Sequence, residues 1–193
     1  MKTSEAKIKN LFIEGMPGTG KSTFLLKELE DILPEAGGYR TVRVIGSDGI
    51  LKGFAHVAPD ADLGVDIISD EPIENEFMIL GDGGCFREAV FRRYSIPQLN
   101  AAEKSFILID EVGGHELDDL EIYEAYRKVP DGLRPCIGIF KCETHANQLG
   151  CGSWKKMREY LLSRPDTRIV PFERYHTEEL KKMIEGWRAD NRL

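Results

Sequence analysis

Gly15-Met16-Pro17-Gly18-Thr19-Gly20-Lys21-Ser22 fits the pattern G-x-x-x-x-G-K-[ST] at every fixed position. These residue types suit one task, holding the phosphates of a nucleoside triphosphate. Glycines permit a tight loop and let backbone N–H groups come close to phosphate oxygens. A helix opening at Lys21 adds the positive end of its dipole. Lys21 can reach the β- and γ-phosphates as a mobile point charge, and the Ser22 hydroxyl can ligate Mg2+. Gly15, Met16, Gly18, Thr19, Gly20, Lys21, Ser22 and Thr23 are the expected nucleotide contacts. Pro17 has no N–H to donate, so it stiffens the loop rather than binding.

A second acidic motif lies well beyond the loop. Ile107-Leu108-Ile109-Asp110-Glu111 reads as an apolar strand that ends in two carboxylates. Asp110 at the strand tip suits a Mg2+ position reached through water or behind the direct ligands. Glu111, the next residue, can orient and polarise a water for in-line attack on the γ-phosphate. The alternative is that Asp-Glu only ends a strand and faces solvent. Phosphoryl transfer asks mainly for positioning and charge stabilisation, so a fixed carboxylate and water would imply hydrolysis.

These motifs need elements to hold them. The apolar run Leu11-Phe12-Ile13 predicts a strand over 8–13, buried on both faces. A helix from about 21 to 33 follows, with Leu25, Leu29, Ile32 and Leu33 on one face, ended by Pro34 and Gly37-Gly38. Residues 41–45 predict a second strand, and Gly46-Ser47-Asp48-Gly49 a turn. From 47 to 90 short strand-like pieces alternate with turn residues, a small β-rich excursion expected to be antiparallel. Residues 86–103 read as helical, with Pro97 starting or kinking the helix. Phe106 to Ile109 is the strongest buried-strand signal. A helix over 116–128 stopping before Pro130 comes next, then a strand over Cys136 to Phe140. Ser153 is placed to cap a helix carrying Trp154, Met157, Tyr160 and Leu161. Arg168 to Val170 is a last strand, and Thr177 caps a closing helix with Leu180, Ile184 and Trp187 inward. The strand–loop–helix alternation predicts an α/β fold: a three-layer sandwich, a mostly parallel sheet with helices on both faces. A chain of 193 residues favours one domain over 1–193.

Here the sequence resembles the small P-loop nucleoside-triphosphatase family first described in thermophilic prokaryotes, nucleotide kinase-related NTPases. That family carries a G-P-P-G-x-G-K-[ST]-T loop and an I-D-E-I-G-K-M-E-L segment. Gly15 to Thr23, Ile109-Asp110-Glu111-Val112-Gly113 with Glu116-Leu117, and Ser95 to Leu99 carry the likeness. Met16 replaces a proline, Gly114-His115 replaces Lys-Met, and 47–90 and 141–152 match loosely. The resemblance implies Mg2+-dependent hydrolysis with loose base selectivity. It implies Lys21 and Ser22 as phosphate and Mg2+ contacts, Asp110 at the metal and Glu111 at the water. Glu116 matches a family position whose role the sequence does not assign.

Other residues carry weaker signals. Lys141 follows the Cys136 to Phe140 strand, whose tip in such a sheet lies near the γ-phosphate, so it could sense that group; a solvated loop lysine is the plainer reading. Cys142, His145 and Cys151 are zinc-ligand types, but C-x2-H-x5-C is no strong zinc spacing, so free thiols and a loop histidine are expected. His56, His115 and His176 read as surface or loop residues. Arg87, Arg92 and Arg93 form a basic cluster, either a solvated helix face or a clamp for a second phosphate. A kinase using 47–93, with Asp48 and this cluster as acceptor site, is the main alternative to hydrolysis; a nucleotide-dependent switch is a third.

The formal net charge of -7 disfavours nonspecific nucleic-acid binding. Four cysteines without a CxxC pair suggest reduced thiols. The short N-terminal apolar run is no signal peptide or membrane span, so a cytoplasmic protein is expected.

Overall fold

The computed structural model describes residues 7–81, 84–172 and 177–193. His176 lies outside them.

Five parallel strands form the centre of the sheet. They are β1 (Asn10–Gly15), β2 (Ala36–Ile45), β6 (Phe106–Val112), β7 (Cys136–Lys141) and β8 (Thr167–Pro171). Three more lie between β2 and β6 in sequence: β3 (Leu51–Val57), β4 (Asp66–Ile68) and β5 (Glu76–Ile79). The spatial order is β5-β3-β2-β6-β7-β1-β8, with β4 paired to β2. β3 and β5 run antiparallel, and β4 is parallel to residues 43–45 of β2. The expected α/β sandwich with a β-rich excursion is therefore present.

Helices α1 (Lys21–Glu28), α2 (Glu88–Leu99), α3 (Leu120–Asp131), α4 (Glu143–Leu149), α5 (Trp154–Leu162) and α6 (Thr177–Asn191) cover the sheet. Strand alternation divides the core between its two faces. Leu11, Ile13, Phe106, Leu108, Ile137 and Ile139 pack with Leu25 of α1 and Leu29 at its end, and with Leu180, Ile184 and Trp187 of α6. Phe12, Ile107, Ile109 and Phe140 face the opposite side, with Phe91 of α2, Tyr126 of α3 and Met157 of α5. Burial of each large apolar side chain contributes roughly 1.5–3 kcal/mol.

Several local readings need correction. α1 ends at Glu28, and a 3-10 turn over Leu33–Glu35 leads straight into β2. Gly37-Gly38 therefore lie inside β2 and do not stop a helix. Their use is close approach: a Cβ on Gly38 (φ +85°) would sit 1.9 Å from the Leu108 carbonyl oxygen of β6. Pro130 lies within the last turn of α3, and Pro97 within the last turn of α2. Asp119 caps α3 by accepting from the Ile122 N–H at 3.0 Å. Ser153 precedes α5 without a side-chain cap bond. His145, expected as a loop histidine, lies in α4 (Glu143–Leu149).

His56 is buried, not a surface residue. Its ring stacks on Tyr39 at 3.7 Å and packs against Phe77 at 3.9 Å, and Nδ1 meets Ser95 Oγ at 2.6 Å. Burial alone pushes its pKa well below the usual imidazole value. The folded state thus refuses a proton that the unfolded chain accepts below about pH 6.5. This contribution is intact above that pH and is lost as pH falls. Urea unfolding from pH 7.5 to 5.0 is expected to show wild type losing more stability than His56→Gln, by up to about 1.4 kcal/mol per pH unit. Parallel curves for the two proteins would refute this.

Candidate active site

The C-terminal ends of the parallel strands carry the site. β1 ends at Gly15, and the loop over 16–20 turns into α1. Gly15 is buried while residues 17–20 are exposed, so the loop is open to a ligand. Gly18 (φ +74°) and Gly20 (φ +87°) take left-handed conformations that a side chain would strain. Thr19 Oγ1 donates to the Met16 carbonyl at 2.9 Å, and the buried Lys21 ammonium bonds the same carbonyl. Thr23 lies exposed in the first turn of α1.

Asp110 sits at the tip of β6, only 2% exposed. Ser22 Oγ donates to its Oδ1 at 2.7 Å. The Thr41 N–H donates to Oδ2 at 3.1 Å, and the Thr41 hydroxyl bonds the Asp110 carbonyl. Burial raises the Asp110 pKa to about 6, against the opposing pull of Ser22 and Thr41. A desolvated carboxylate beside a hydroxyl is a hard-oxygen donor set of the kind that suits Mg2+, and a dication there would offset the desolvation. Mg2+ takes one or two protein oxygens and completes its shell with phosphate and water. The donors present fit that role. Among the described residues no group of three or more His, Cys, Asp or Glu forms a protein-only metal cage.

Glu111, the next residue, pairs with Lys141 at the end of β7. Lys141 is no solvated loop lysine: its side chain is 15% exposed. Past β6 the chain turns at Gly113-Gly114, and both N–H groups donate to Glu116 Oε1 at 2.8 Å. Glu116 thus has a visible task, bracing the turn behind Glu111. Leu117 joins the core.

The other candidates separate from this cluster or join it weakly. Cys142 Sγ lies 3.3 Å from Met16 Sδ, and Cys151 Sγ donates to the Gly114 carbonyl at 2.8 Å. Burial raises the Cys151 thiol to about 11. None of the four cysteines is in a disulfide. His145 Nδ1 is buried without a hydrogen-bond partner. Burial, then the charge of Lys141, lower its pKa, with Lys21 adding to the effect. Arg92 pairs with Asp119 and Glu121, Arg93 with Glu74, and Arg87 donates to the Glu76 carbonyl at 3.0 Å. Asp48 is tied into its hairpin turn by Ile50 and Lys52. Each of these cations and Asp48 thus has a partner among the described residues. Thr41 escaped the sequence reading, because a threonine in a strand has no local signature of what it meets across the sheet.

A family model described as NTPase matches residues 10–159. The chain is 29% identical over 137 residues to nucleoside-triphosphatase THEP1 of Thermotoga sp. (strain RQ2), covering 68% of this chain and 73% of that protein. It is 30% identical over 137 residues to the protein of the same name from Thermotoga petrophila, covering 68% and 71%. The fold resembles the solution structure of a human cancer-related nucleoside triphosphatase, with TM-score 0.63, 19% identity and coverage of 92% and 95%. It also resembles the crystal structure of THEP1 from the hyperthermophile Aquifex aeolicus, with TM-score 0.60, 18% identity and coverage of 91% and 99%. Among the described residues no helix is long and apolar enough to cross a membrane.

Lys21 brings a charge to the mouth of the loop. Replacing it removes charge-assisted bonds worth about 2 kcal/mol, a factor of about thirty in affinity. Lys21→Ala is expected to weaken ATP binding by at least that factor in isothermal titration calorimetry. Unchanged affinity would exclude the loop as a phosphate site.

Proposed function

This chain belongs to the NTPase family and is a nucleoside-triphosphatase, and from that premise we propose how it works. It hydrolyses nucleoside triphosphates, ATP and GTP among them, to diphosphate and phosphate in a Mg2+-dependent reaction. The whole chain acts as one nucleotide-binding domain. The observation that carries this reading is the contact of Ser22 Oγ with Asp110 Oδ1, with Glu111 as the next residue. It joins the phosphate loop to the acidic strand and sets a second carboxylate beside the first.

Backbone N–H groups of the loop hold the β-phosphate, and Lys21 spans the β- and γ-phosphates. Ser22 and Asp110 would hold Mg2+, which when bound would supply charge neutralisation at the phosphate oxygens. Glu111 accepts a hydrogen bond from a water and aligns its oxygen with phosphorus, opposite the leaving oxygen. The water oxygen bonds to the γ-phosphorus as the bond to the β–γ bridging oxygen breaks. The proton lost from water passes by way of Glu111 to the released phosphate, and the diphosphate leaves with the bridging oxygen. The loop reads phosphates and no base, so base selectivity rests on contacts outside it; the family resemblance implies that it is loose.

Glu111→Gln keeps the shape of the side chain and loses its basicity. Phosphate release with Mg2+ from ATP, GTP, CTP and UTP, with no second substrate, is expected for wild type. In Glu111→Gln it should fall by at least about a hundredfold, within the range that general-base catalysis contributes, while ATP affinity stays within about twofold. Wild-type turnover in the variant would remove Glu111 from the water position. Tight binding without release, relieved by an added phosphoryl acceptor, would favour a kinase.

A further inference from the structure

The pairing of Glu111 with Lys141 is not explained by the reaction as described. A lysine at the rim of a site is normally free to stay in water, yet this ammonium is largely withdrawn from it. Among the described residues its one side-chain partner is Glu111. An ammonium carries three N–H donors, so two remain for another acceptor.

The position of Lys141 says which acceptor. β7 lies between β6 and β1, so its tip stands between the acidic motif and the phosphate loop. Lys141 is the register partner of Gly15, where the loop begins. The next residue, Cys142, touches Met16 inside the loop. His145, in the first turn of α4, feels the charges of Lys141, Glu111 and Lys21 together. Lys21 and Lys141 therefore both bear on His145. The Lys141 backbone is fixed there, because its carbonyl accepts from Trp154 Nε1 at 2.8 Å. Its stem lies across the Gly113-Gly114 turn: a Cβ on Gly114 would stand 3.1 Å from Lys141 Cε.

We propose that Lys141 is a further substrate-contacting residue that binds a γ-phosphoryl oxygen and couples it to Glu111. With a triphosphate in the loop, the ammonium bonds the γ-phosphoryl oxygen through its remaining donors. Negative charge on that group draws the ammonium away from sole pairing with the carboxylate and frees a Glu111 oxygen for the water. A diphosphate has no group at that place, and Glu111 stays paired. Lys141 thus makes readiness for hydrolysis depend on the γ-phosphate. The coupling to Glu111 rests on the hydrolytic reading above; the phosphate contact does not.

The test uses Lys141→Met, which keeps length and loses charge, and Lys141→Arg, which keeps charge. Binding of the β,γ-imido analogue of ATP and of ADP, both with Mg2+, is measured by titration calorimetry for each protein. Lys141→Met is expected to bind the triphosphate analogue about tenfold more weakly, as loss of one charged contact implies, with ADP affinity within about twofold. Its phosphate release should fall by about a hundredfold, as for a lost transition-state donor, and Lys141→Arg should recover part of both. Unchanged ADP affinity reports an intact loop, which separates a phosphate contact from a loss of folding. If Lys141→Met fails to bind ADP as well, the triphosphate-to-diphosphate ratio of the uncharged but polar Lys141→Gln is read instead. A ratio equal to that of wild type overturns the proposal. The same titrations in Glu111→Gln keep the two readings apart. Full hydrolysis in Glu111→Gln with a reduced ratio in Lys141→Met removes the water role of Glu111 but keeps the phosphate contact. A dead Glu111→Gln with an unchanged ratio in Lys141→Met does the reverse.

Discussion

A buried carboxylate at the tip of a parallel strand is the constraint on which the site depends. Asp110 cannot turn to water, and a desolvated carboxylate is costly unless it is bonded. Ser22 from the first turn of α1 and Thr41 from β2 supply the bonds, at 2.7 and 3.1 Å. Three elements distant in sequence are thereby tied at one point. The loop cannot drift from β6, and β2 cannot slide past it, without leaving that carboxylate unsatisfied. The same desolvation that raises its pKa is one that a dication would offset.

Around this point the charges are arranged in opposition. An acidic chain of net charge -7 must build a local positive field to hold a triphosphate. Backbone N–H groups, the α1 dipole and Lys21 lie on the loop side, and Lys141 at the end of β7 adds a second cation. Glu111 and Glu116 face them, and each is held: Glu111 by Lys141, Glu116 by the Gly113 and Gly114 N–H groups. Preorganised donors and acceptors of this kind need little rearrangement when charge shifts during phosphoryl transfer.

The parts of this arrangement that are local in sequence were legible there. The loop pattern, the apolar runs of β1, β6 and β7, and the carboxylates ending β6 each announce themselves within a few residues. Parallel strands buried on both faces read as continuous apolar runs, so the layer order followed. What escaped depends on partners far along the chain. Gly37-Gly38 looked like a helix stop, and only the approach of Leu108 reveals a strand. His56 looked like a surface residue, because nothing nearby in sequence announces the rings of Tyr39 and Phe77 that enclose it. α4 and the pairing of Lys141 were likewise invisible, because tertiary packing and not propensity decides them.

A double-mutant cycle on Ser22 and Asp110 tests the central claim most directly. ATP-analogue binding is measured for wild type, Ser22→Ala, Asp110→Asn and the double variant, with Mg2+ and with chelator. If the two residues share one Mg2+ site, each single change weakens binding in Mg2+. The double change then costs little more than either, with a coupling of about 1 kcal/mol or more that disappears in chelator. Additive losses of the same size with and without Mg2+ would contradict the account.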